Sequence, residues 1–302
     1  MLLSVVIITY NEEANIARTL NSVTALVANG IGEIIVVDSG STDRTIEIAK
    51  SIGAKVFEEP WRGFAAQKNF AIDKATGDWI LSLDADEEVE VQLADAIQLI
   101  VSRPAGHTEM ELRNLARDAG GDSLDQVELV LAYEESISKD AKQPEEMPVT
   151  LSGYFVARKN HFLGRWMKGG GFWPDTKLRL FRRGYGRFGS QVVHEKLEVD
   201  GYTARIKNGA LVHHCYPTMR DYIEHMNRYS SLGAQMAVEK GSRSGPVNLV
   251  VRPVATFFYN YLFRLGFLDG REGLLLHLNH AAYVFWKYAK LWELTHSTDV
   301  PR

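Results

Sequence analysis

The chain has 302 residues, of which 45% are hydrophobic, 24% charged and 10% aromatic. That is enough apolar material for a large core in one domain or two, and it is neither a disordered nor a fibrous composition. Its 34 Lys and Arg against 38 Asp and Glu give a net charge of −4, and its only cysteine is Cys215. These counts exclude the basic footprint of a nucleic-acid coat, an internal disulfide and a cysteine-based zinc site, and they fit a reducing cytoplasmic compartment.

In chain order, residues 3 to 9 are a β-branched run and predict a strand. A helical pattern follows, with Ile16, Leu20, Val23 and Val27 on one face and Asn29-Gly30 at its end. Residues 33 to 37 predict a second strand. Ser41 and Thr42 are expected to cap a helix that Gly53 closes, before a third strand over 55 to 57. A helix over 64 to 75, a strand over 79 to 83 running into Asp84-Ala85-Asp86-Glu87-Glu88, and a helix over 91 to 101 complete four βα units. Units of this length imply an α/β fold with a doubly wound, mostly parallel sheet, and ligands at the carboxyl ends of its strands.

Residues 103 to 150 break this rhythm with an acidic stretch, expected to be an insertion or flap. Beyond it, strands are expected at 154 to 158 and 177 to 181, on either side of a Gly- and Trp-rich segment. A helix is expected over 220 to 239, and then an aromatic tail from 252 to 294. The expected blocks are therefore 1 to 102, 103 to 150, 151 to 218, and a helical, aromatic-rich C-terminal region from 219 to 302.

Charge is unevenly shared among them. Residues 1 to 102 carry 7 basic and 16 acidic side chains, whereas 151 to 302 carry 22 and 11. The basic half could face an anionic glycan or a membrane leaflet, or could simply balance acidic faces elsewhere. No basic leader precedes the first apolar run, so no signal peptide is expected. The apolar stretches 253 to 263 and 273 to 286 are shorter than the roughly 18 residues that a membrane crossing requires.

The chemistry-bearing residues collect at predicted strand ends. Asp84 and Asp86, at i and i+2, can together hold a hard divalent cation, Mg or Mn, that bridges phosphate oxygens. Read alone, Asp-x-Asp is more often a solvated turn. Here Thr9-Tyr10-Asn11-Glu12-Glu13 ends the first strand, Asp38-Ser39-Gly40-Ser41-Thr42-Asp43 ends the second, and Gln67-Lys68-Asn69 lies on the third helix. All of them would line one rim, where a nucleotide could lie. Neither a dinucleotide-binding glycine fingerprint nor a P-loop is present.

In order and spacing these segments resemble the family 2 glycosyltransferases of the GT-A (Rossmann-like) fold. The resemblance implies a UDP-sugar donor, with Thr9, Tyr10, Asn11, Glu12 and Asp38 around the uridine. It implies Lys68 near the base or diphosphate, Asp84 on the ribose and donor sugar, and Asp86 on the metal. This chain departs from many members in having Asp38-Ser39-Gly40-Ser41 where they have Asp-Asp-Gly-Ser, so a second carboxylate beside the base is missing. Asn160-His161-Phe162-Leu163-Gly164-Arg165-Trp166, Trp173-Pro174-Asp175, Val193-His194-Glu195 and Leu211-Val212-His213-His214 further resemble the bacterial lipopolysaccharide-core glucosyltransferase branch. That likeness implies glucose transfer to a core saccharide.

Inverting transfer requires a base for the acceptor hydroxyl and an electrophile for the departing diphosphate. Glu195 is the expected base and Asp175 the alternative. His213 resembles the histidine that completes the metal shell in such enzymes, and a hydrogen-bonded core histidine is the competing reading. Arg179 and Arg182 are expected to contact acceptor or phosphate, and Trp173 to stack on a sugar. The glycine run 169 to 171 would let its loop move over substrate.

The expected partners are a UDP-sugar and a lipid-linked saccharide acceptor, with no nucleic acid. For the aromatic tail a membrane surface, a homo-oligomer interface and ordinary core stand as three readings. Placement in the cytoplasm, peripheral to the inner face of the cytoplasmic membrane, goes with the first. The absence of a Gln-x-x-Arg-Trp sequence argues against a processive synthase. Transfer to a polyprenyl phosphate and a non-catalytic glycan-binding role are the alternatives.

Overall fold

The computed structural model describes residues 2 to 102, 127 to 128, 151 to 189 and 196 to 296. Glu195 and nearly all of the acidic insertion lie outside the described residues. The strands are β1 (Leu3–Thr9), β2 (Gly32–Asp38), β3 (Lys55–Glu58), β4 (Trp79–Asp84), β5 (Glu87–Val89), β6 (Val127–Glu128), β7 (Leu151–Phe162), β8 (Arg165–Trp166), β9 (Asp175–Arg182), β10 (Gly186–Phe188), β11 (Leu197–Val199), β12 (Tyr202–Ile206) and β13 (Leu211–Tyr216). The α-helices are α1 (Ile16–Val27), α2 (Thr45–Ser51), α3 (Phe64–Lys74), α4 (Val91–Val101), α5 (Met219–Glu239), α6 (Arg252–Phe258) and α7 (Gly270–His296).

The chain divides into two compact units, residues 1 to 158 with 176 to 212, and residues 159 to 175 with 213 to 302. These limits differ from the sequence blocks, because strands that follow the insertion return to the first sheet.

In the first unit the sheet order is β3-β2-β1-β4-β9-β7-β12-β6. β3, β2, β1 and β4 are mutually parallel, and β9 runs antiparallel to β4. β1 and β2 are covered on both faces, which is why they read as unbroken apolar runs rather than alternating ones. Val5, Ile7, Val36 and Leu81 face a core shared with α1 and α4. Val6, Ile35, Val37 and Ile80 face the opposite core with Ala71 and Ile72 of α3. In α1 the buried stripe is Ile16, Thr19, Leu20, Val23 and Leu26, so Leu26 rather than Val27 completes it.

Two local expectations change. Ser41 and Thr42 do not cap α2, since both bond to the neighbouring turns; the helix begins at Thr45, whose N–H and hydroxyl donate to Asp43 at 3.0 and 2.5 Å. The acidic run after β4 also folds back as a strand, β5, which pairs with β13.

In the second unit the end of β7 pairs with β8. Phe162, Met167, Tyr222 and Leu276 form its core. A capping box between Thr218 and Asp221 starts α5. Lys290 of α7 donates to the Asn227 carbonyl and to Ser230 and Ser231 of α5. The glycine loop is tied to the chain after it: buried Asp269 accepts from the N–H groups of Lys168 and Gly169 at 3.0 and 2.7 Å. A Cβ at Gly170 would collide with the His277 ring, so the glycines here serve close approach. Among the described residues no helix is long and apolar enough to cross a membrane.

Candidate active site

Register sets the rim of the first unit. Thr9 stands beside Asp38 and Ile8 beside Asp84, so three parallel strands end at one level with their polar residues together. Asp38 is fully buried. One carboxylate oxygen accepts from the N–H groups of Gly40 and Ser41, and the other from the hydroxyls of Thr9 and Ser41 at 2.8 and 2.5 Å. Both oxygens bond within the chain, so Asp38 and Thr9 hold the turn over 38 to 41 at the strand ends.

Asn11, at φ 55°, accepts from the Thr42 N–H at 2.8 Å and donates its own backbone N–H to Ser41. Glu12 donates its N–H to Thr45. The first two strand ends are therefore laced into one platform, on which Tyr10 is 58% exposed.

At the end of β4, Asp84 lies between two cations. Lys68 of α3 donates to one oxygen at 2.9 Å, and Arg179 of β9 donates to the other at 2.5 Å. Burial alone would raise the Asp84 carboxyl, but the Arg179 and Lys68 charges outweigh it and hold it well below the usual carboxylate range. Arg179 also donates to Glu87 at 2.6 Å, and Arg158 reaches the same oxygen at 3.1 Å. Burial would lower the Arg179 guanidinium; Asp84 and Glu87 overcome that and raise it. Lys68 lies 5.1 Å from the centre of the Phe188 ring, which Asn69 fixes by two backbone hydrogen bonds, each 2.9 Å.

Two expectations about arginines are corrected here. Arg179 belongs to the site, but as the buried counter-ion of Asp84 and Glu87 rather than a clamp open to phosphate. Arg182 lies away from the rim. It stacks at 4.5 Å on Trp79, at the opposite end of β4, and donates to the Leu151 carbonyl; Trp79 is about 16 Å along the strand from Asp84.

Glu12 and Asp86, like Asp84, are half-buried acids of the rim. Burial raises the Glu12 carboxyl above its ordinary value. Its bond from Asn15 opposes the shift, while the charges of Asp86, Asp43 and Asp84 add to it. Among the described residues no group of three or more His, Cys, Asp and Glu could hold a metal ion.

In the second unit, Asn160 donates its amide to Asp175 at 3.0 Å, and its carbonyl lies 2.7 Å from Nδ1 of His213. The Asn160 NH2 faces Asp175 and the Asn160 oxygen faces His213. The His213 proton is thereby assigned to Nδ1. Trp173 meets Trp166 edge to face at 5.1 Å.

Sequence reasoning missed Glu87 and Asn160 as organisers. Glu87 had a signal, since its position three residues after Asp84 lets it accept the Asp84 N–H at 3.0 Å. Asn160 had none, because its partners lie 15 and 53 residues away.

A parallel sheet whose strand ends present such a rim, closed by an antiparallel strand, defines a GT-A glycosyltransferase. The model of the family described as "Glycosyl transferase family 2" matches residues 4 to 106. A glycosyltransferase of Rickettsia typhi is 31% identical, covering 97% of this chain and 87% of its own. The lipopolysaccharide core biosynthesis glycosyltransferase LpsC of Rhizobium meliloti is 30% identical, covering 96% and 92%. The chain belongs to glycosyltransferase family 2. Glucosyl-3-phosphoglycerate synthase from Mycobacterium tuberculosis is 33% identical over 28% of this chain and 33% of its own, at a TM-score of 0.26.

Proposed function

We propose that the protein is an inverting hexosyltransferase that moves a sugar, glucose in the first instance, from UDP to a saccharide of the lipopolysaccharide core. The observation that carries this reading is Asp84, held ionised by Lys68 and Arg179 at the level where β1, β2 and β4 end. A fixed carboxylate can accept hydrogen bonds from sugar hydroxyls, and the two buried cations keep it from moving or protonating. Similarity to LpsC over nearly the whole chain supports the acceptor class.

The donor set fits a divalent cation only in part. Asp84 is occupied by its two cations, which leaves Asp86, with Glu12 beside it, as the acid for a metal that takes its remaining oxygens from the diphosphate, as Mg commonly does. When bound, that ion would neutralise the leaving diphosphate. The acceptor oxygen attacks the anomeric carbon as its proton passes to a carboxylate, and the bond to UDP breaks. Glu195 is the proposed base and Asp175 the second choice, with Tyr10 and Asn11 beside the base of the nucleotide and Trp173 on the acceptor.

The test is Asp86→Asn. Sugar transfer from UDP-glucose should fall by about 10²- to 10³-fold, with the melting temperature unchanged. Independently of turnover, adding Mg with UDP should lower the Glu12 titration seen by NMR. Unchanged turnover removes Asp86 from the reaction, and an unmoved Glu12 removes the metal from this rim.

A further inference from the structure

The second unit carries an exposed apolar surface. From 247 to 263 the chain is one continuous helical run, a π-helical turn (Val247–Val251), α6, and a second π-helical turn (Tyr259–Phe263). Its side chains sort into rows four residues apart. Leu249, Pro253, Phe257 and Tyr261 form the covered row, and Arg252, Thr256, Asn260 and Arg264 a polar one. The rows through Val250, Val254, Phe258 and Leu262, and through Val251, Tyr259 and Phe263, are open to solvent, with Phe263 78% and Val250 63% exposed. Leu278 and Phe285 of α7 continue the open face, lining a groove with Val250, Val254 and Phe258.

So many large apolar side chains on one face exceed what a soluble surface ordinarily shows. The charge around them is one-sided. From 239 to 272 the basic residues are Lys240, Arg243, Arg252, Arg264 and Arg271, all exposed, against three acids: Asp269 is buried in backbone hydrogen bonds, Glu272 pairs with Arg165, and Glu239 is exposed. Among the described residues, Lys240, Arg243 and Arg271 form no ion pair.

We propose that this face is an interfacial anchor that lies on an anionic lipid bilayer, its apolar rows in the acyl boundary and its arginines at the lipid phosphates. Apolar area with cationic flanks is the combination that holds a helix in the plane of an interface. A second copy of the chain would instead bring two like-charged rims together. The inference does not depend on the transferase reading.

The test is co-sedimentation of the whole protein with vesicles of phosphatidylcholine alone and of phosphatidylcholine with phosphatidylglycerol. Binding is expected only to the anionic vesicles and should weaken as salt is raised. Arg243→Glu with Arg271→Glu should reduce it on the order of tenfold or more. Phe258→Ser with Phe263→Ser should abolish it while UDP binding and melting temperature are kept. Equal binding to both vesicle types, or binding that survives Phe258→Ser with Phe263→Ser, overturns the proposal. So does a lipid-free dimer that the Phe258→Ser, Phe263→Ser variant dissolves, since that assigns the face to a second copy.

Discussion

The two units solve opposite problems. The rim of the first takes charged groups largely out of water and pairs its carboxylates: Asp84 with Lys68 and Arg179, Glu87 with Arg179 and Arg158, Asp38 with four donors, with the Nε of Arg179 left unpartnered. The second leaves apolar groups in water along its helical run and matches none of them. A buried polar group without its partner is costly, whereas an exposed apolar group costs the fold little. The first unit is therefore brittle at its charges and the second indifferent at its surface, a contrast that substitutions can break.

The largest effect is expected at Arg179. Arg179→Met strands Asp84 and Glu87 without their shared cation and should destabilise the protein by about 3 to 5 kcal/mol in urea unfolding. A loss below about 1 kcal/mol would mean that the network is hydrated and the contrast false.

Next comes Glu33, whose neighbours at the start of β2 sharpen the same point away from the site. Burial would raise its carboxyl, but Lys55, the Thr76 and Ser4 hydroxyls and the Thr76 N–H outweigh it and hold it down at about 2. A carboxyl lowered from its ordinary 4.5 stabilises the fold above that pH, and the contribution is lost as pH falls through about 2. Since Lys55 is exposed and screened, Glu33→Gln should cost on the order of 2 kcal/mol at neutral pH. It should also flatten the fall in stability between pH 4.5 and 2, which acid titration of both proteins would show.

Asn160→Ala tests whether the second unit has a polar site of its own. Loss of both side-chain bonds should cost about 1 to 2 kcal/mol. It should release the His213 tautomer, visible as a changed pattern of ring nitrogen shifts in NMR. A merely structural amide would give the stability loss with the tautomer unchanged.

The smallest effect belongs to the exposed face, where Phe263→Ser should move stability by less than about 0.5 kcal/mol. A larger loss would show that Phe263 is covered in solution.

Much of the first unit is legible in the sequence. The runs Leu3 to Thr9 and Glu33 to Val37 are too uniformly apolar for anything but strands covered on both faces, and the alternation with helices imposes a parallel sheet. A parallel sheet places Thr9, Asp38 and Asp84 at one edge, so the rim followed from pattern alone. Cap positions were less legible, because Ser41 and Thr42 are good caps by type and only their bonds to Asp38 and Asn11 exclude them.

The sequence by itself thus determined the family, the parallel sheet and the residues gathered at its rim, because period and order are local properties that survive without a partner in space. Tertiary structure alone decided what those residues do there. It made Arg179 a buried counter-ion of Asp84 and Glu87 and set Arg182 on Trp79, because these pairings bring together groups more than 90 residues apart in the chain. It also left the apolar rows between Val250 and Phe263 uncovered. Whether an apolar face is core or surface depends on what packs over it, and no spacing within the helix records that.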